Sequence, residues 1–233
     1  MAGSAWTTLS AKLHPSIPKP VATRNLIAGL IVFAIMTAAL AAIAKDVLNN
    51  APLAVADVHF SNWLHIHSVS WVTTTLRIIT NLHSATVICI VALPLGVVLW
   101  RQRERFWLLV FWLSVYGGWA LNRILKLAFQ RARPQFADTI QTLTSYSFPS
   151  GHTMAATVFY GALVMFFISR TKHWPARVVA SAFAMLMILL VAFSRVYLGA
   201  HYLSDVLGAM AEGFAWVALC WTVLAYFLNR RRS

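Results

Sequence analysis

The feature that most limits how this chain can fold is a series of apolar runs close to bilayer-spanning length. The hydrocarbon layer is about 30 Å thick, which a helix crosses with about 20 residues. Six runs can be drawn, over 25–44, 84–100, 106–129, 153–169, 176–195 and 206–228. The second is short and carries Pro94 and Gly96, which predicts a kink and poorly defined ends. Backbone polar groups in lipid must be satisfied within their own segment, so each run reads as a helix. Composition agrees: 60% of residues are hydrophobic and 11% charged, against about 25% charged in a soluble domain. The expected fold is all-α and polytopic, with six transmembrane helices in one integral-membrane domain over residues 1–233.

A net charge of +13 invites a nucleic-acid reading, but its distribution argues against one. Twelve of the nineteen Lys and Arg fall in four places. These are the N-terminal arm (Lys12, Lys19, Arg24), the 2–3 loop (Arg101, Arg103, Arg105), the 4–5 loop (Arg170, Lys172, Arg177) and the tail (Arg230, Arg231, Arg232). Six spans put all four on one side, which the positive-inside rule makes cytoplasmic. The basic balance is then topology and attraction to anionic headgroups, and no nucleic-acid-binding pattern accompanies it. Residues 1–24 become a cytoplasmic arm, both termini are cytoplasmic, and loops 1–2, 3–4 and 5–6 lie outside the plasma (inner) membrane. Cys89 and Cys220 fall inside predicted spans and read as small apolar residues, not as a disulfide. Ala42-Ile-Ala44 before Lys45 resembles a signal-peptidase site. The apolar stretch ahead of it is about 18 residues, longer than a signal core, so the first span is read as uncleaved.

Three polar clusters stand at ends of these runs. The first is Lys126 to Pro134, "KLAFQRARP". The second is Pro149-Ser150-Gly151-His152, and the third is Ser194 to Asp205, "SRVYLGAHYLSD". The six-span count brings all three to the outer face. Ionisable groups at membrane depth are costly unless paired or hydrated, and so mark a site by default. For Lys45 and Arg77, snorkelling to the interface suffices. Ser150 and Gly151 precede the first turn of the fourth span, whose amides have no intrahelical partners. They read either as an ordinary cap or as an anion cradle, with His152 at its mouth. His201 and Asp205 share a helical face at i,i+4, either as a structural hydrogen bond or as an oriented, nucleophilic imidazole. Lys126, Arg133 and Arg195 at the same face tip the balance toward phosphoryl chemistry. Cations and amides would hold the phosphoryl oxygens while one His attacks phosphorus and the other protonates the leaving oxygen. No set of residues with metal-ligand spacing lies nearby, so no metal and no cofactor are expected.

Lys126-x6-Arg133-Pro134, Pro149-Ser-Gly-His152 and Ser194-Arg195-x5-His201-x3-Asp205 together resemble the three-part signature of the phosphatidic acid phosphatase type 2 superfamily, with every position filled. The resemblance implies roles for the matching positions. His201 would be the nucleophile that forms a phosphohistidine, Asp205 its orienting partner, and His152 the general acid and later base. Lys126, Arg133, Arg195, Ser150 and Gly151 would bind phosphate. Family members of this kind act without a metal on lipid phosphates or diphosphates. Soluble vanadate-dependent haloperoxidases share these motifs, and the apolar spans argue against that branch. An inert scaffold or a transporter is the alternative of a different class. It is disfavoured while both histidines are present.

The implied partners are a membrane lipid phosphate and the bilayer itself, with the oligomeric state left open. From the family's usual roles and the short loops, undecaprenyl diphosphate of the cell-envelope cycle ranks first. Phosphatidic acid or phosphatidylglycerol phosphate follows, then a lipid A phosphate. Two weaker expectations remain. Glu212, about 10 Å deeper than Asp205 on the same face, is expected to pair with Arg123 and tie spans 3 and 6 together. His59, His65 and His67 in "DVHFSNWLHIHS" suggest a membrane-surface helix that shapes lipid entry in preference to a metal site.

Overall fold

The computed structural model describes residues 23–49, 51–136 and 145–230. Lys12, Lys19, Arg231 and Arg232 of the expected basic arm and tail lie outside them. The described residues form helices and no strand: α1 (Thr23–Leu48), α2 (Pro52–Ile66), α3 (Ser70–Leu82), α4 (Ala85–Arg101), α5 (Arg105–Phe129), α6 (Gly151–Arg170), α7 (Trp174–Tyr197) and α8 (Leu203–Arg230). Five of these, α1, α5, α6, α7 and α8, are long and apolar enough to cross a membrane, and they coincide with five of the expected spans. The sixth is a bent pair. α4 has only 17 residues, and with α3 it passes the same test across a bend of 47°.

That bend lies at His83-Ser84, not at Pro94, which sits inside a continuous α4. Ser84 restarts the helix as its cap, its Oγ accepting from the Val87 amide at 3.2 Å. His83 donates Nδ1–H to the Ile79 carbonyl at 2.8 Å, so its Nε2 accepts from the Tyr160 hydroxyl of α6 at 2.7 Å. The break is thereby tied to the bundle.

The first-loop helix expected from the sequence is α2, and α3 follows it. Val55, Val58, Trp63 and Ile66 of α2 are exposed, while Asp57, Ser61 and Leu64 face inward. α8 packs along α1 on one side and α6 on the other, and α6 packs in turn against α7, α5 and α4. The core between them is built from Ile88, Trp107, Phe111, Met154, Val158 and Val217, among others. Large apolar side chains such as Ile31, Ile35, Leu93, Val179 and Leu186 point outward, as a lipid-facing surface requires. Inside α5 a π-helical turn, Leu113–Gly117, disturbs the hydrogen-bond ladder. There the Trp216 indole of α8 donates to the Leu113 carbonyl at 2.9 Å.

Candidate active site

The residues singled out from the sequence converge where the C-terminal ends of α5 and α7 meet the N-terminal ends of α6 and α8. α5 stops at Phe129, and Gln130 takes a left-handed conformation at φ 48° that turns the chain into Arg131-Ala-Arg133-Pro134. α7 stops at Tyr197, and Gly199 at φ +66° turns the chain toward His201. The Ser150 amide donates to the Asp205 carbonyl at 3.1 Å, which fixes the start of α6 against the start of α8.

His201 is buried, and its two ring nitrogens face different partners. Nδ1 lies 3.2 Å from Asp205 Oδ2, and Nε2 lies 3.2 Å from Arg133 Nη1. A guanidinium can only donate, so Nε2 carries the lone pair and Nδ1 the proton given to Asp205. Burial pushes the imidazole down to about 3, with Asp205 opposing the shift and losing. His201 is therefore neutral near pH 7. Asp205 is fully buried; its Oδ2 also accepts from Ser147 Oγ and from the Tyr202 amide at 2.9 Å.

Three cations surround this pair. Lys126 Nζ donates to the carbonyls of Tyr146 at 2.6 Å and Ser147 at 3.1 Å. Arg133 donates to the carbonyls of Ser145 and Ala200, each at 2.7 Å. Arg195 is 1% exposed, donates to Thr80 Oγ1 at 3.0 Å, and has its Nε without a partner among the described residues. None of these three forms an ion pair among the described residues. Their charges, with His201, all act on the His152 imidazole in the first turn of α6. Ser150 makes no side-chain cap bond to α6, and its Oγ accepts from Thr153 Oγ1 at 3.2 Å. A Cβ on Gly151 would stand 3.3 Å from Asn122 Oδ1 and 3.8 Å from Lys126 Cε, which places the glycine backbone beside that lysine.

The arrangement offers a neutral imidazole whose Nε2 lone pair faces Arg133, a second imidazole in the first turn of α6, three cations without carboxylate partners, and the first-turn amides of a helix. That set suits an incoming phosphoryl group. Among the described residues, no group of three or more His, Cys, Asp or Glu comes together as a metal site would require.

One expectation needs correction. Arg123 and Glu212 do not pair. Arg123 is exposed and lies 5.1 Å over the Trp119 ring, whereas Glu212 is buried and accepts from Asn122 Nδ2 at 2.9 Å. Asn122 and Arg123 are about 100° apart around the helix, and it is Asn122 that faces inward. The first-loop histidines take separate roles: His67 bonds the Trp63 carbonyl at 2.8 Å, and His65 stacks on Phe136 at 4.3 Å between ring centres. Sequence reading gave no role to Asp57, Ser147 or Arg131, the last lying within its first polar cluster; Ser147 and Arg131 bond Asp205, and Asp57 bonds Arg131 and Ser204. Asp57 carried a signal, because it is one of only six acidic residues and sits in an apolar stretch.

A multi-span helical bundle with this site is a membrane phosphatase. The chain belongs to the PAP2 superfamily, whose family model matches residues 106–229, and it is a membrane lipid phosphatase of that family. Phosphatidylglycerophosphatase B of Bacillus subtilis is 32% identical over 148 residues, covering 61% of this chain and 70% of that protein. Undecaprenyl-diphosphatase BcrC of the same organism is 34% identical over 98 residues, 40% of this chain and 46% of that protein. Lipid A 1-phosphatase of Rhizobium johnstonii is 32% identical over 119 residues, 47% and 44% of the two chains. The crystal structure of a transmembrane PAP2 type phosphatidylglycerolphosphate phosphatase from Bacillus subtilis superposes with a TM-score of 0.68 at 26% identity. That match covers 87% of this chain and 96% of the other.

Proposed function

We propose that this chain removes a phosphate group from a lipid headgroup through a phosphohistidine on His201. His201 Nε2 attacks phosphorus, and the P–O bond to the lipid breaks as His152 gives its proton to the leaving oxygen. His152 then takes a proton from water, the water oxygen attacks phosphorus, and the P–N bond breaks to release inorganic phosphate. Asp205 holds Nδ1–H and stabilises the positive charge that develops on the ring. Lys126, Arg133, Arg195 and the amides at Ser150-Gly151 carry the phosphoryl oxygens, and the substrate's negative charge offsets the cations around His152. The observation that carries this reading is the orientation of His201, with Nδ1 on Asp205 and Nε2 turned to a guanidinium. The cations would do without a divalent metal.

The four basic segments on one side support a site at the extracytoplasmic face, with termini in the cytoplasm. Sequence reasoning ranked undecaprenyl diphosphate first. The greater coverage of phosphatidylglycerophosphatase B and the likeness to the phosphatidylglycerolphosphate phosphatase structure favour phosphatidylglycerol phosphate, with undecaprenyl diphosphate second. The test is phosphate release by protein purified in detergent with EDTA, from phosphatidylglycerol phosphate, undecaprenyl diphosphate and phosphatidic acid, beside His201→Ala. Release that survives EDTA and is lost in the variant supports the mechanism, and the preferred lipid ranks the substrates. Turnover that persists in His201→Ala, or stops with EDTA, refutes it.

A further inference from the structure

Outside the signature positions, two charged side chains are built into the site from opposite directions. Asp57 of α2 is 1% exposed. Its Oδ1 accepts from the Ser204 amide at 2.9 Å, and its Oδ2 from Ser204 Oγ. Ser204 lies in the first turn of α8, so Asp57 caps, from another helix, the helix that carries Asp205. Arg131 joins the two acids. Its Nη2 donates to Asp57 Oδ2 at 2.8 Å and its Nη1 to Asp205 Oδ1 at 2.6 Å and Ser204 Oγ at 2.6 Å. The guanidinium lies 4.4 Å over the Tyr202 ring, and the Arg131 carbonyl accepts from the Ser147 amide at 2.8 Å.

The distribution of donors on Asp205 gives this network its meaning. His201, Ser147 and Tyr202 all donate to Oδ2, and Arg131 alone among the described residues donates to Oδ1. Three donors thus hold one oxygen of the carboxylate, and the Arg131 Nη1 bond, anchored through Nη2 on Asp57, holds the other and fixes the plane from both ends. With both terminal nitrogens on carboxylates, Arg131 also differs from Lys126, Arg133 and Arg195, which bond only neutral acceptors. It faces the acids and not the phosphoryl position.

We propose that Arg131, held by Asp57, is a positioning residue that clamps Asp205 Oδ1 so that Oδ2 stays on His201 Nδ1–H. This rests on the phosphohistidine reading above. It also makes α2, the first-loop helix, part of the machinery that aims the nucleophile. A lysine reproduces it only in part, since one ammonium keeps the charge but has no planar pair of donors to span two carboxylates.

Two readouts test the clamp. The first is steady-state phosphate release by Arg131→Gln, Arg131→Lys and Asp57→Asn in detergent. Misaiming a reacting group by about 1 Å costs on the order of 100-fold in rate. Arg131→Gln should therefore lose about 100-fold in kcat with KM little changed, Arg131→Lys should recover part of the loss, and Asp57→Asn should fall between wild type and Arg131→Gln. The second readout needs no turnover: the Nδ1 proton of His201 in protein labelled with 15N-histidine, assigned by its disappearance in His201→Ala. The resonance should move upfield in Arg131→Gln. A raised KM with kcat retained would make Arg131 a phosphate ligand and overturn the clamp. So would an unmoved resonance, or a lysine variant no better than glutamine. Should Arg131→Gln not fold, Arg131→Lys and Asp57→Asn carry both measurements. If His201→Ala still turns over, the phosphohistidine reading fails, and the resonance decides the clamp separately.

Discussion

Gly208 lies on the face of α8 that meets Phe148, the residue between Ser147 and Pro149 in the loop before α6. A Cβ at 208 would come 2.6 Å from Phe148 Cε2 and 2.8 Å from Cζ. Ordinary contact begins near 3.4 Å, so Gly208→Ala requires the ring to retreat by about 0.8 Å. The ring has little room. Phe148 is 0% exposed, packs with Ala44 and Val47, and meets Phe129 edge-on at 5.1 Å. The displacement must pass into its own backbone. That backbone presents the Ser147 carbonyl to Lys126 and, through the Ser147 side chain, a hydrogen bond to Asp205. Overpacking of this kind costs about 1–3 kcal/mol, and a shift approaching 1 Å in the cradle costs about 10–100-fold in kcat/KM. Thermal unfolding in detergent and phosphate release read the two effects. Phe148→Leu removes the clashing ring edge, so the double variant should lose less stability than the two singles together, by about 0.5–3 kcal/mol. Wild-type stability and activity in Gly208→Ala, or strict additivity with Phe148→Leu, would refute the reasoning.

Acid should destabilise the protein through His201. In the unfolded chain its imidazole takes a proton below about pH 6.5, while burial in the folded protein holds it neutral down to about 3. The stability this group contributes is present above about pH 6.5 and is lost progressively as pH falls toward 3. Thermal midpoints from pH 8 to 4 should therefore fall less steeply in His201→Gln than in wild type. Asn122→Ala strips Glu212 of the hydrogen bond on its Oε2 and should cost about 1–3 kcal/mol. Arg123→Ala should cost no more than about 1 kcal/mol, the worth of its contact with Trp119. Tyr160→Phe removes the bond to His83 that secures the bend before α4 and should cost about 0.5–1.5 kcal/mol in the same assay.

Much of the fold was legible because lipid leaves the backbone few choices. The five long spanning helices each lie within a few residues of an apolar run, and the charged loops set their ends. The second span was legible only in part. The apolar run 84–100 matches α4, but the bend belongs to His83-Ser84, where a side chain of α6 secures the break, and tertiary contacts of that kind leave no local pattern. The same limit explains the misplaced partner of Glu212. Spacing put Arg123 one turn deeper than Lys126, but which residue of a turn faces the bundle depends on the rotation of α5, and that rotation turns Asn122 inward.

Sequence separation explains why the network around Asp205 stayed hidden while Lys126, Arg133 and Arg195 did not. Lys126, Arg133 and Arg195 stand out against apolar surroundings and fall at fixed spacings within the signature motifs. Asp57 acts across 147 residues on the Ser204 amide, and Arg131 across 74 on Asp205, distances at which no local spacing rule applies. The two sets also differ in what satisfies them. Arg131 is neutralised by the two acids it bridges, which leaves that part of the site complete in itself. The other three cations meet carbonyls, two hydroxyls and an imidazole, all neutral, so their positive charge remains uncompensated by the described residues. Buried charge is tolerated when an opposite charge offsets it, and in the proposed mechanism the substrate's phosphoryl dianion supplies what those three lack. Under the proposed mechanism the acids aim the nucleophile and the unpaired cations receive the substrate.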